Sequence, residues 1–385
     1  MSKHLHPVEC IHPIECIVPP HMLEKLATEG TDAQKEKALR TMTVSEQFRG
    51  LRVAAKDFAP LAAGVEAVGK QRIVYDANEG TSLPGTPARN EGDPSTGDDG
   101  VDEAYDGSGA TYDLFKDVYG RDSINGTGMR LDSTVHFRKG YDNAFWNGKQ
   151  MVYGDGDEDL PEADRLFNRF TIAIDIIGHE LTHGVTQYEA ALVYRNQPGA
   201  LNEHFSDVFG SLVKQRSLNQ QANQADWLIG QGLFTANVNG VAIRSMKEPG
   251  TAYDDPVLGK DPQPGHMDDY VNTPNDNGGV HINSGIPNRA FFVLATELGG
   301  FAWEKAGKIW YDTLSNELQA QSNFQNAADA TYLVAAKLFG DGSLEQQAVK
   351  KGWAAVGINV GGGPPPPSNG DDKKGCLSLF IPFSI

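Results

Sequence analysis

Apolar positions along the chain keep two different periods, and the change falls near residue 166. From about residue 53 to 160 they come in short runs of strand composition: Arg72-Ile73-Val74-Tyr75, Val135-His136-Phe137 and Gln150-Met151-Val152-Tyr153. β-Branched and aromatic residues fit a half-buried pleated surface. Between these runs, Leu83-Pro84-Gly85-Thr86-Pro87 and residues 90–100 are Gly, Pro and Asp clusters that read as turns. Beyond 166 the spacing becomes helical. Residues 172–188, residues 200–213 and several later segments place apolar side chains at i, i+3 and i+4. Ser322-x-x-Gln325 and Ser343-x-x-Gln346 have the form of capping boxes opening late helices. The pattern predicts an α+β chain, with a mainly-β N-terminal lobe at 53–165 and a mainly-α C-terminal lobe at 166–360.

The two ends stand apart. Residues 1–52 are charge-neutral and open on a near-repeat, His6-Pro7-Val8-Glu9-Cys10-Ile11 and His12-Pro13-Ile14-Glu15-Cys16-Ile17. Pro, His and Glu interrupt every apolar run there, so a cleaved export signal is not expected and the chain is expected to be cytoplasmic when made. Pro19-Pro20 precedes Met22, Leu23 and Leu26, which sit at helix-face spacing. After Val360 come three glycines and four prolines, a linker by composition, then an apolar tail at 375–385 that is too short to span a bilayer.

Composition narrows the possible functions. With 33 basic and 51 acidic residues the net charge is −18, which argues against nucleic acid as a partner. No run is long and apolar enough to cross a membrane. Three cysteines, all near the ends, cannot form a disulfide framework.

The chemistry lies in Gly178-His179-Glu180-Leu181-Thr182-His183. Residues four apart share a helix face, so His179 and His183 can present two imidazoles to one metal ion, with Glu180 beside it as general base. Catalytic zinc takes a third protein ligand and keeps one open position. The next helical segment offers Asn202-Glu203-His204-Phe205-Ser206-Asp207. Glu203 and Asp207 share a face, so one can ligate while the other supports an imidazole N–H. His204, about 100° away round the helix, competes as a ligand but needs a different rotation.

These motifs, with Asn143-Ala144-Phe145-Trp146-Asn147-Gly148, Met151-Val152-Tyr153-Gly154-Asp155-Gly156, Arg244-Ser245-Met246 and Asp276-Asn277-Gly278-Gly279-Val280-His281, stand in one order over about residues 70–358. The sequence resembles the thermolysin-like neutral zinc metalloproteases, and its short N-terminal segment with Pro19-Pro20-x-x-Leu23 resembles the protealysin-like branch. The resemblance implies a thermolysin-like fold with the zinc cleft between the lobes. It implies zinc on His179, His183 and Glu203, Asp207 behind a ligating histidine, and Glu180 as general base. His281 and Tyr194 would be oxyanion donors, with Asp276 orienting His281. Arg244 would grip the substrate carbonyl on the leaving side and Asn143 the adjacent amide, with main-chain acceptors from Ala144 and Trp146. Phe167, Phe170, Ile176, Ile229, Leu233 and Ile243 would line the pocket for a bulky apolar side chain just after the cleaved bond. Phe170 is bulkier than an aliphatic residue and, if turned inward, would make that pocket shallower.

The resemblance implies an endopeptidase that acts on peptides and proteins, and a monomer is expected. Residues 1–52 would be a propeptide and intramolecular inhibitor, docked with residues 19–23 near the substrate pockets, and the mature form would leave the cell by a non-standard route. A sharper form of that idea puts a Cys10 or Cys16 thiolate at the metal's open position. Two other readings compete, a zinc aminopeptidase and a non-catalytic binding protein on the same scaffold. Calcium is doubtful. Asp175 and Asp226 remain as oxygen donors, but Lys214, Leu228, Gln231 and Val241 stand where carboxylates are expected, and Lys214 could pair with the two aspartates instead. The acid-rich stretch 93–106 is a rival calcium site.

Overall fold

The N-terminal segment is built into the body of the fold. In the computed structural model, which describes residues 15–55 and 69–361, strand β1 (Glu15–Cys16) is the edge of a six-stranded sheet. The other strands are β2 (Arg72–Asp76), β3 (Thr86–Asn90), β4 (Leu131–Val135), β5 (Ala144–Trp146) and β6 (Met151–Tyr153), in the order β1-β5-β6-β4-β2-β3. β1 runs antiparallel to β5, pairing Glu15 with Trp146 and Cys16 with Phe145. The predicted strands at 72–75 and 150–153 are present, but the one expected at 135–137 is displaced, sharing only Val135 with β4. β4 ends at Val135 because His136 takes a left-handed conformation, φ +52°.

Two helices follow β1. α1 (Pro20–Glu29) starts with proline in its first turn, where a missing N–H costs nothing, and buries Met22, Leu23 and Leu26. α2 (Asp32–Ala55) passes the expected boundary at residue 52. The N-terminal lobe also holds α3 (Asp99–Asp113), a helix in a stretch expected to be mainly β. Its cap is Asp98, whose carboxylate accepts from the Val101 N–H.

The second lobe is helical as expected: α4 (Ile174–Tyr188), α5 (Asn196–Ser217), α6 (Asp276–Asn283), α7 (Gly285–Leu298), α8 (Lys305–Asn316), α9 (Phe324–Phe339) and α10 (Leu344–Ala354). The Ser343 hydroxyl caps α10 through the Gln346 N–H. Near α9 the cap is one residue later than expected. Asn323 and Asn326 form the reciprocal box, and Ser322 instead accepts from the Gln319 N–H. A short ribbon, β7 (Leu228–Ile229) with β8 (Arg244–Ser245), lies beside them and pairs Ile229 with Arg244.

α4 and α5 pack at unusually close range because glycines face each other. A Cβ on Gly178 would stand 3.1 Å from the Gly210 Cα, and one on Gly210 would meet the Asp175 carbonyl and stand 3.0 Å from the His179 nitrogen. That contact brings the polar faces of two otherwise buried helices together. Both lobes share one apolar core, which runs from Ile17, Leu23 and Trp146 to Trp310 and Trp353. No helix among the described residues is long and apolar enough to cross a membrane. The near-repeat, Cys10 and the 362–385 tail lie outside the described residues.

Candidate metal centre and active site

His179 and His183 point their Nε2 atoms at one another, 3.0 Å apart, from successive turns of α4. Each ring is fixed by its other nitrogen. His179 Nδ1 donates to Asp207 Oδ1 at 2.8 Å, and His183 Nδ1 donates to Asn202 Oδ1 at 2.9 Å. Both Nε2 atoms therefore carry lone pairs, and two lone pairs facing at this distance call for a cation. Glu203 Oε2 lies 3.5 Å from His179 Nε2 and Oε1 lies 3.5 Å from His183 Nε2, all three side chains being fully buried. Glu203 Oε2 accepts no hydrogen bond among the described residues. A tetrahedral ion bonded at about 2.0–2.1 Å needs donors about 3.3 Å apart, so this donor set fits zinc. Burial and then the neighbouring His179 hold His183 well below its usual pKa, in the neutral form a metal requires.

His204 is not in this group. Its Nδ1 meets Asn288 Oδ1 at 2.8 Å and its Nε2 accepts from the Trp310 indole at 2.7 Å, deep in the helical core.

Glu180 faces the sheet, where its Oε2 accepts the Trp146 N–H at 3.1 Å. Across the cleft, α6 begins with a backbone that only glycine adopts easily, Gly278 at φ +88° and Gly279 at φ +78°. That turn lets Asp276 hold His281 twice. Oδ2 takes the His281 N–H at 2.8 Å and Oδ1 takes Nδ1 at 2.6 Å. Burial alone would lower the His281 pKa, but Asp276 and Glu203 outweigh it and raise it to about 9, so both ring nitrogens carry protons. The Tyr194 hydroxyl donates to Glu203, and its oxygen is 3.2 Å from His281 Nε2.

Arg244 is buried behind this row. It grips Asp207 with two bonds, Nε to Oδ2 at 2.9 Å and Nη2 to Oδ1 at 2.8 Å. Burial raises the Asp207 pKa, but Arg244 and His179 outweigh it, so the carboxylate is held well below its usual range. Asn288 adds a third donor to Asp207 Oδ2, at 2.8 Å, and Ser206 lies 3.0 Å from His183 Nδ1. The sequence reading did not single out Asn202, Ser206 or Asn288. A signal for two of them was present, since Asn202 and Ser206 are four apart beside the Glu203–Asp207 stripe.

Residues 16–18 cross this site in extended form. His281 Nε2 donates to the Cys16 carbonyl at 3.0 Å. The Ile17 N–H donates to the Ala144 carbonyl at 3.3 Å, and Arg244 Nη1 donates to the Ile17 carbonyl at 3.2 Å. The Val18 N–H donates to Asn143 Oδ1 at 3.0 Å. The main-chain bonds come from the stretch just before Pro19-Pro20, and residues 19–23 follow beside it, with Pro20 and Leu23 lining one pocket with Asn143 and Asp276. The Cys16 thiol does not reach the histidines; it lies 3.9 Å from the Ser45 hydroxyl and packs with Val44, Phe137 and Phe145. Ile17 is fully buried, as are Phe167, Phe170, Ile176, Ile229, Leu233 and Ile243 in the same core. The Phe170 ring turns inward against Phe167, with centroids 6.0 Å apart.

Three further charged clusters among the described residues lie outside the cleft. Lys214 Nζ is 2.8 Å from Asp226 and 3.3 Å from Asp175, and also reaches the Leu228 carbonyl and Gln231 Oε1 at 3.4 Å. Val241 is 57% exposed. In the acid-rich stretch, Asp102 is taken by Arg89 and by donors of Ser95, Thr96 and Gly97. Lys37 of α2 enters an acid pocket of the first lobe, 2.8 Å from both Asp157 and Asp159 and 3.3 Å from Asp142, and also donates to the Gly156 carbonyl.

A paired-histidine centre between a sheet lobe and a helical lobe defines a metallopeptidase. Residues 61–187 match the thermolysin metallopeptidase catalytic domain and residues 190–358 its alpha-helical domain. The chain belongs to the thermolysin family of metallopeptidases and is a thermolysin-like zinc metalloendopeptidase. It is 49% identical over 345 residues to an "Extracellular metalloprotease" of Pectobacterium carotovorum, covering 89% of this chain and 96% of that one. Over 297 residues it is 40% identical to a thermolysin of Alicyclobacillus acidocaldarius, covering 74% of this chain and 50% of that one. Among solved structures it is similar to the precursor of protealysin, a metalloproteinase from Serratia proteamaculans. That match has 50% identity and a TM-score of 0.79, and covers 89% of this chain and 99% of that one.

Proposed function

We propose that the chain is made as a self-inhibited zinc endopeptidase, with its N-terminal segment lying in the cleft as an intramolecular occupant. The observation that carries this reading is the set of bonds to residues 16–18. Every group expected to hold a substrate main chain on the leaving side, Asn143, Ala144 and Arg244, has a main-chain partner in that segment.

Zinc on His179, His183 and Glu203 would supply a Lewis acid that lowers the pKa of water and polarises a carbonyl. Glu180, aimed by the Trp146 N–H, takes the proton from the attacking water and passes it to the departing amine. His281 and Tyr194 donate to the oxygen on which negative charge develops, and Asp276 keeps the His281 ring oriented and charged. Arg244 holds the next carbonyl, and Asn143 the amide beyond it. The buried pocket of Phe167, Phe170, Ile176, Ile229, Leu233 and Ile243 favours an apolar residue just after the cut. With Phe170 inward, Leu, Ile and Val are preferred over Phe. The names of relatives such as the Pectobacterium enzyme support action outside the cell. The Lys214 ammonium between Asp175 and Asp226 supports a fold that does not depend on calcium there.

The test is hydrolysis of casein and of a peptide with a blocked amine, by wild type and by Glu180→Ala. An endopeptidase cuts both substrates and loses both activities in the variant. A requirement for a free amine would mean an aminopeptidase, and no turnover with zinc bound would mean a binding protein.

A further inference from the structure

We propose that the Cys16–Ile17 peptide bond is the chain's own first cleavage site. The proposal rests on the endopeptidase reading and adds the bond on which it acts. The segment runs through the cleft in one direction only. The Cys16 carbonyl is the one that His281 holds, at 3.0 Å. The following N–H goes to Ala144 and the following carbonyl to Arg244. The residue immediately after the bond is Ile17, an aliphatic side chain with no exposed surface, which is what a pocket for bulky apolar side chains selects. A main chain held on both sides of one peptide bond, with a proton donor on its carbonyl, is oriented as a substrate rather than as a reversed plug.

The step adds one water. Its oxygen bonds to the Cys16 carbonyl carbon, the C–N bond to Ile17 breaks, and a proton carried by Glu180 goes to the Ile17 nitrogen. Cys16 becomes a C-terminal carboxylate and Ile17 a new N-terminus. No oxidant or other reactant is needed.

The surroundings decide what leaves. Downstream of the bond, Val18 is tied to Asn143, Met22, Leu23 and Leu26 are buried, and Lys37 sits in its acid pocket. This half therefore stays docked after the cut, while Glu15 and Cys16 keep their strand pairing with β5. Maturation then begins by trimming the N-terminus and does not at once open the cleft.

Zinc-loaded full-length protein, kept reduced and followed by intact mass and N-terminal sequencing, tests this. The expected product begins at Ile17 and forms at a rate independent of protein concentration, because the bond is cut within its own molecule. Ile17→Asp should lower that rate at least about tenfold, since an apolar pocket refuses a carboxylate, while Ile17→Leu should retain it. Glu180→Ala should not form the product. A protein that hydrolyses casein while Cys16–Ile17 stays intact, or whose first new N-terminus lies elsewhere, overturns this inference and leaves the peptidase reading standing. A protein that cleaves neither casein nor itself overturns both.

Discussion

Arg244 and Asp207 form one unit. Two parallel bonds of 2.9 and 2.8 Å join them, and the same Asp207 oxygen that meets Arg244 Nη2 also accepts a hydrogen bond from His179 Nδ1. The residue proposed to grip the substrate is thereby linked to the residue that orients a metal-binding imidazole. Arg244→Lys should raise KM through loss of the fork, which an ammonium cannot reproduce. Asp207→Asn should weaken zinc binding about 10–100-fold, as loss of such support behind a histidine does. Steady-state kinetics beside competitive zinc chelation separates the two effects. Equal losses of zinc in both variants would show that Arg244 acts through the metal site instead.

Glu180→Ala should reduce turnover by at least about 10²-fold while zinc stays bound, because a general base carries the proton and not the metal. Metal analysis of the purified variant beside its peptidase rate gives the answer, and near-normal turnover would remove Glu180 from the mechanism.

Lys37 is held between Asp142, Asp157 and Asp159, and its side chain is only 5% exposed. Burial alone would lower its pKa, but Asp142 and Asp157 outweigh it and keep the ammonium charged. Lys37→Met leaves buried carboxylates without their counter-charge, which typically costs about 3–5 kcal/mol. Denaturant melts should show that loss, and α2 should become accessible to added trypsin first. An unchanged melt would mean that the carboxylates take up protons at no cost.

His136 gives the protein a pH dependence away from the cleft. Its ring lies between Asp155, 3.0 Å from Nδ1, and Asp98, 3.2 Å from Nε2. The hydrogen bond with Asp155 is the largest cause of a pKa raised from 6.5 to about 9, against the opposing effect of burial. A raised pKa means that the folded protein holds this proton more tightly than the unfolded chain. The stabilisation is complete below about 6.5 and is lost as pH rises through about 9. Urea midpoints across that window should fall in the wild type and fall less in His136→Asn.

Removal of calcium should leave the melting temperature nearly unchanged, because Lys214 already neutralises Asp175 and Asp226. Lys214→Ala should lower it, since Asp175 is buried. A fall of many degrees on calcium chelation of the wild type would refute the lysine-for-calcium reading.

The parts legible in the sequence are those whose spacing is itself the geometry. His179, Glu180 and His183 lie on one buried helix, and α5 carries Glu203 and Asp207 one turn apart, so a helical period places the groups. α3 escaped because Gly100, Gly107 and Gly109 make it look like loop. It is a helix partly because those glycines let it lie close to its neighbours, a Cβ on Gly107 meeting Ile177 and one on Gly109 meeting Arg72. Lys37 and Cys16 were illegible for a different reason. Their partners, Asp157 and His281, are 120 and 265 residues away in the chain, and no local pattern encodes a contact of that range.

The strand that Glu15 and Cys16 add to the sheet edge is covalently tethered to the site it fills. A free peptide with the same few bonds would dissociate on dilution, but a tethered one meets the cleft at an effective concentration set by the chain itself. Latency of this kind should be as complete in a single molecule as in a concentrated solution. On the reading proposed above, it would end only when the docked helices let go.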